Sequence, residues 1–114
     1  GLEMGGIPIA TALSLHTGIP AAFVRKEAKK YGTALLAEGA DIAGKQVTVV
    51  EDVITTGGQV VISTNELRAL GANITDVLCV IDRSPDRGAA LAAEGLTMHA
   101  LLNRAQLDAA EARR

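Results

Sequence analysis

Aromatic residues are almost missing from this chain: Phe23 and Tyr31 are the whole set, 2% of 114 residues, and there is no tryptophan. With 48% apolar residues, the core must be built from Val, Ile, Leu and Ala, as expected where helices cover a parallel sheet. The same shortage removes the stacking platforms that hold single-stranded nucleic acid. A net charge of −2 argues against a general nucleic-acid binder, which is normally basic. No apolar run reaches the length of a membrane span, and the residues present show no signal-peptide pattern. Cysteine is scarce too. Cys79 stands alone in the run Val77–Ile81, so no internal disulfide can form, and a reducing, cytoplasmic setting is expected. With no activating neighbour in sequence, Cys79 reads as a buried structural thiol. His16 and His99 lack metal-ligand spacing and read as structural or surface residues.

What is present is one organising stretch, Val47-Thr48-Val49-Val50-Glu51-Asp52-Val53-Ile54-Thr55-Thr56-Gly57-Gly58. Its β-branched run predicts a strand buried on both faces, from Gln46 to Asp52. Two carboxylates follow, then a small-residue loop over Val53 to Gly58, and Gln59 opens a helical pattern. A glycine-rich turn into a helix aims unpaired backbone N–H groups at one spot, with the positive end of the helix dipole behind them. Such a spot binds phosphate. Glu51 and Asp52 would repel a bare phosphate, so the ligand must place hydroxyl groups at the acids and a phosphate at the loop. A ribose 5-phosphate has that layout.

The chain is long enough for one domain, residues 1–114, and one core. Gly5 and Gly6 form a loop, and Pro8 suits the first turn of a helix whose apolar face is Ile9, Ala10, Ala12, Leu13 and Leu15, ending at Gly18. Ala21 to Val24 reads as a short buried strand. Arg25-Lys26-Glu27-Ala28-Lys29-Lys30 then places four cations in six residues. On charge alone that run could be a solvated helix face. Directly after a strand, and followed by glycine breakers, residues 26–43 read instead as a long loop with a short hairpin, a lid. The remaining pattern is a helix over Gln59–Leu70 capped at Gly71, with Val60, Val61, Leu67 and Leu70 on its apolar side, then a strand over Ile74–Asp82. A helix over Asp86–Glu94, a strand over Leu96–Leu102 and a C-terminal helix capped by Asn103 complete it. Strands alternating with helices predict an α/β fold with a parallel sheet flanked by helices.

The stretch Val49 to Gly58 resembles the phosphoribosyl-pyrophosphate (PRPP) signature of type I phosphoribosyltransferases. Gly1 to Ala12 resembles that family's pyrophosphate loop and following helix. Phe23-Val24-Arg25-Lys26-Glu27-Ala28-Lys29 resembles the base of the lid in orotate phosphoribosyltransferases, and Val80-Ile81-Asp82-Arg83 their strand whose arginine contacts orotate. The resemblance implies a Rossmann-like core without the family's N-terminal strand and hood. It implies that Glu51 and Asp52 bind the ribose hydroxyls, and that Val53, Ile54, Thr55, Thr56, Gly57, Gly58 and Gln59 form the 5′-phosphate loop. Arg25, Lys26 and Lys29 would contact pyrophosphate, often across a dimer interface. Lys29 and Asp52 would be catalytic, and Thr55 and Arg83 would hold orotate. Magnesium would ride on the pyrophosphate, held by substrate oxygens and water rather than by a protein cage. Tyr31 stands where many relatives have histidine, and Met4-Gly5 where they have a Tyr-Lys pair.

The activity implied is transfer of the phosphoribosyl group from PRPP to orotate, giving orotidine 5′-monophosphate and pyrophosphate, by a homodimer in the full-length form. Two alternatives stay open: a PRPP-binding regulator on the same fold, and a transferase for another base. The lid cations favour an enzyme, and Arg83 favours a carboxylated base. Gly1-Leu2-Glu3 could be a cloning scar before Met4, or the chain a piece of a longer protein. In the second case the strand feeding Gly1 would lie beside Gln46–Asp52, and the isolated chain is expected to be poorly stable or oligomeric, with negligible turnover.

Overall fold

In the computed structural model the described residues are 1–26 and 35–113. The valine run forms β3 (Gln46–Ile54), which pairs in parallel with β4 (Asn73–Asp82). β5 (Thr97–Asn103) continues the parallel sheet on the far side of β4. Parallel neighbours need crossovers, and two helices supply them: α2 (Gly58–Ala69) between β3 and β4, and α3 (Ala89–Ala93) between β4 and β5. The inward residues meet in one aliphatic cluster that includes Val49, Ile54, Val60, Leu67, Ile74, Val77, Leu91 and Leu96. Burying each such side chain is worth about 1.5–3 kcal/mol, which holds the layers together without aromatic residues. Cys79 is buried in the same cluster, and burial, with the charges of Asp82 and Glu51, pushes its thiol up to about 11. It is a packing residue.

The sheet does not take in every strand. β1 (Ala22–Val24) pairs antiparallel with β2 (Ala37–Gly39), so the hairpin expected within residues 26–43 is instead made with the strand that precedes that stretch. This pair meets the parallel sheet through the first residues of the chain. The Leu2 N–H donates to the Val50 carbonyl at 3.0 Å, the Glu3 N–H to the Val24 carbonyl at 2.8 Å, and the Val24 N–H to the Gly1 carbonyl at 2.9 Å. Gly1 and Leu2 thus lie between β1 and β3 as a stub of strand, and Leu2 is 2% exposed. Beyond that stub a groove of about 810 Å³ runs between α1 (Gly6–Thr17), β1 and the outer side of β3, lined by apolar residues such as Ala10, Leu13, Val47 and Val49.

Four expectations are corrected by the packing. In α1 the residues that reach the sheet are Gly6 and Ala10, whereas Leu13 and Leu15 are exposed. The helix lies so close to β3 that a Cβ on Gly6 would collide with the Val50 carbonyl oxygen, so small residues make this contact. In α2, Leu70 points to solvent and Ser63 and Thr64 are buried instead. The helix expected over Asp86–Glu94 is only five residues, Ala89–Ala93, because Arg87 (φ 54°) and Gly88 (φ 78°) hold a left-handed turn before it. Finally, β3 runs on through Ile54, and Val53 and Ile54 belong to the strand rather than to the loop. The C-terminal α4 (Arg104–Ala112) begins as expected at Asn103, whose side chain accepts from Gln106 N–H while Gln106 returns the bond.

Candidate active site

Near the carboxyl end of β3 stand Glu51 and Asp52, followed by Val53 and Ile54 before the strand turns into Thr55–Gly57. Asp52 is exposed, and its Oδ1 accepts from the Val53 N–H at 2.7 Å. Glu51 is half-buried, and its Oε1 accepts from the Asp52 N–H at 3.0 Å. Burial, followed by the hydrogen bond and charge of Asp52, pushes Glu51 up to about 7, although its backbone bond and Lys26 pull the other way. The two acids therefore differ: Asp52 faces solvent, while Glu51 titrates close to neutrality.

Two loops converge on these acids. The loop from Gly1 to Gly5 comes in from the side of β1, and a Cβ on Gly5 would stand inside the Asp52 carboxylate. Only glycine allows so close an approach. The second loop, Thr55–Gly57, turns sharply at Gly57 (φ 85°), where an added Cβ would press on Leu91 at 3.1 Å. α2 then starts with no side chain capping it; Gly58 N–H is met by Thr56 Oγ1 at 3.3 Å. A helix opening without a cap presents backbone donors and a positive dipole end to whatever binds there.

β4 ends beside this loop. Arg83 is exposed, and its N–H donates to the Ile54 carbonyl at 2.8 Å, so its backbone is tied to the strand that carries the acids. Thr55 and Thr56 are exposed at the same edge, as is Gly58, while Gly57 is buried and Gln59 half-buried. Val53 is half-buried, and the Ile54 side chain is in the core, 2% exposed, so Ile54 can offer a ligand only backbone. Lys26 lines a cavity of about 510 Å³ with Glu3, Gln59, Ile62 and Glu66, and its charge reaches Glu51.

Arg25 is placed differently from Lys26. Its guanidinium pairs with Glu38 of β2 at 2.9 Å, and its Nε is buried with no partner among the described residues. Lys29 and Tyr31 lie outside the described residues. Two residues at the lid base were not singled out by sequence. Glu3 accepts the Lys26 N–H at 2.5 Å, and Glu38 holds Arg25. Each is a lone acid in a weakly patterned segment, a position without a sequence signal. Among the described residues no group of three His, Cys, Asp or Glu could hold a metal ion together. Glu51 and Asp52 nevertheless offer oxygen-only donors at an open edge, the hard chemistry that suits magnesium with most of its water retained.

Over nearly all of its length the chain is also similar to known proteins. An orotate phosphoribosyltransferase of Nocardioides sp. is 57% identical over 110 residues, covering 96% of this chain and 62% of the relative. Among solved structures, a phosphoribosyltransferase of Corynebacterium diphtheriae superposes with a TM-score of 0.84 at 39% identity, covering 95% of this chain and 64% of that one. The Mycobacterium tuberculosis orotate phosphoribosyltransferase, in complex with PRPP, superposes at 0.81 with 36% identity, covering 94% and 62%. The chain thus spans less than two thirds of the length of these relatives. The phosphoribosyl transferase domain family matches residues 1–99, a span that holds both loops, both acids and Arg83, and the chain belongs to that family.

Proposed function

We propose that this chain is the PRPP-binding and catalytic part of an orotate phosphoribosyltransferase, which makes orotidine 5′-monophosphate and pyrophosphate from orotate and PRPP. The observation that carries the reading is the close approach of Gly5 to Asp52, beside the uncapped start of α2. Hydroxyl acceptors and phosphate donors thus lie on one continuous strand-and-loop segment, the order in which a ribose 5-phosphate needs them.

In the reaction, the bond from ribose C1 to the pyrophosphate oxygen breaks and a bond to the orotate nitrogen forms, through an oxocarbenium-like state. Asp52 and Glu51 accept the ribose hydroxyls, and backbone N–H groups of Thr55 to Gln59 hold the 5′-phosphate. The ribose is thereby fixed at both ends while C1 changes partner, which removes rotational freedom before the chemistry. Lys26, near the acids, and Arg25 and Lys29 of the lid stabilise the departing negative charge, and Lys29 acts mainly on lid closure. Arg83 and Thr55 receive the base and its carboxylate. Magnesium bound with PRPP would neutralise pyrophosphate charge, and the exposed Asp52 carboxylate would hold it through water. The full-length protein is a cytoplasmic homodimer in this reading, and residues 1–114 act as one core domain. The exposed Arg83 guanidinium favours a carboxylated base over a neutral purine, and the cations of the lid favour catalysis over PRPP sensing alone.

The test is formation of orotidine monophosphate from orotate and PRPP, run on the 114-residue chain and on a version extended to the length of its relatives. Turnover in the extended version and negligible turnover in the shorter one are expected. Consumption of adenine or guanine in place of orotate would replace the reading with a purine transferase. PRPP binding without turnover of any base would replace it with a sensor.

A further inference from the structure

β4 leaves the sheet at Asp82, a carboxylate only 6% exposed. Its Oδ1 accepts twice from the next turn: from the Ser84 N–H at 2.8 Å and from the Ser84 hydroxyl at 2.5 Å. The oxygen of that hydroxyl accepts in turn from the Gly88 N–H at 2.8 Å. Gly88 is the residue before α3, and its left-handed backbone leaves Met98 directly against it. Arg83 sits inside this ring of bonds, with its own N–H on the Ile54 carbonyl. Its backbone is therefore held from both sides, by β3 and by the Asp82–Ser84–Gly88 chain. Its guanidinium is exposed, and no ion pair engages it among the described residues.

A buried carboxylate is costly, and a packing role would be filled more cheaply by an apolar residue. No cation pairs with Asp82 among the described residues; the carboxylate is spent on fixing one turn. The turn has a reason to need fixing. A bidentate guanidinium reads a carboxylate through a planar fork, whose strength depends on where the arginine backbone starts. We propose that Asp82 and Ser84 are positioning residues that hold the Arg83 backbone at the tip of β4, and so set the preference for a carboxylate-bearing base. This rests on Arg83 receiving the base, as in the reading above.

The experiment measures KM for orotate, KM for PRPP, kcat and the unfolding midpoint in the extended, active protein. Asp82→Ala would open the core as well, so Ser84→Ala is the variant that decides. Ser84→Ala should raise KM for orotate roughly tenfold, the loss expected when a guanidinium–carboxylate contact is misaligned. KM for PRPP should stay near the parent value while the midpoint falls by a few degrees, because the buried Asp82 carboxylate and the Gly88 N–H each lose a partner, and Ser84→Thr, which keeps a hydroxyl, should recover most of both losses. On an Arg83→Ala background, Ser84→Ala should add less than about twofold, because residues acting through one contact are not additive. If Arg83→Ala raises KM for orotate and Ser84→Ala does not, the positioning role is wrong and the Arg83 reading stands. A parallel rise in both KM values would make Ser84 a merely structural residue. An Arg83→Ala variant with unchanged KM for orotate would remove both proposals.

Discussion

The Asp52 carboxylate occupies the space into which a side chain on Gly5 would grow. Gly6, the next residue, stands as close to β3, but there the obstacle is the Val50 carbonyl oxygen, which is backbone. A carboxylate can rotate away and a strand carbonyl cannot. Gly5→Ala should therefore leave the unfolding midpoint nearly unchanged and weaken PRPP binding about tenfold or more by displacing Asp52. Gly6→Ala should lower stability by about 1–3 kcal/mol, as overpacking does. Paired thermal unfolding and titration calorimetry separate the two, and equal stability losses would contradict the geometry.

Asp52→Asn tests the acid directly. Its carboxylate is exposed at the strand end beside Glu51, so losing the charge relieves like-charge repulsion and should not harm the fold. PRPP affinity should fall sharply in calorimetry. Unchanged affinity would take Asp52 out of the site.

Glu51 makes the site sensitive to pH. Burial lifts it from 4.5 to about 7, so over that window the folded chain binds more protons at this position than the unfolded chain. Its contribution to stability is fully present below about 4.5 and is lost as pH climbs through about 7. Ligand binding runs the other way, because accepting a ribose hydroxyl favours the carboxylate. The kcat/KM for PRPP should rise with pH across about 7 in the free enzyme, and Glu51→Gln should flatten that limb. A profile unaltered by Glu51→Gln would assign the limb to another group.

Lys29 lies outside the described residues, and its test is kinetic. In the extended protein, Lys29→Ala should lower kcat by about a hundredfold or more with little change in KM, the mark of a contact made in the transition state. A change confined to KM would make Lys29 a ground-state phosphate contact.

The centre of the fold was readable because β3 is patterned by itself: its β-branched run reads as strand and its acids need a ligand, although burial on both faces holds only at Val49 and Val50, with Gln46, Thr48 and Asp52 exposed. The same holds for Asn103, whose cap is written in neighbouring residues. What sequence obscured depends on distant approach. Leu13 and Leu15 look like an apolar face, yet α1 sits too near β3 for anything larger than Gly6 and Ala10. Ile54 looks like loop beside two threonines, but its partner Asp82 on β4 extends the strand past the acids. Glu38 gave no signal because its partner, Arg25, lies thirteen residues earlier, just past the end of β1. Asp82 and Ser84 carry no role in the sequence reading, because their bonds, although local, acquire a purpose only once Arg83 stands at the strand tip between them.

The stub at Gly1–Leu2 has a dynamic consequence. Backbone bonds at Leu2 and Glu3 join the β1–β2 pair to the parallel sheet, and α1 packs across the join. β3, β4 and β5 by contrast share ladders along most of their length. The molecule should open in parts of unequal strength, with β1, β2 and the base of the lid exchanging their amide hydrogens well before the interior of β4. Movement of Arg25 and Lys26 with β1 and β2 would then cost only a local loosening, leaving the sheet that carries Asp52 and Arg83 as a fixed platform.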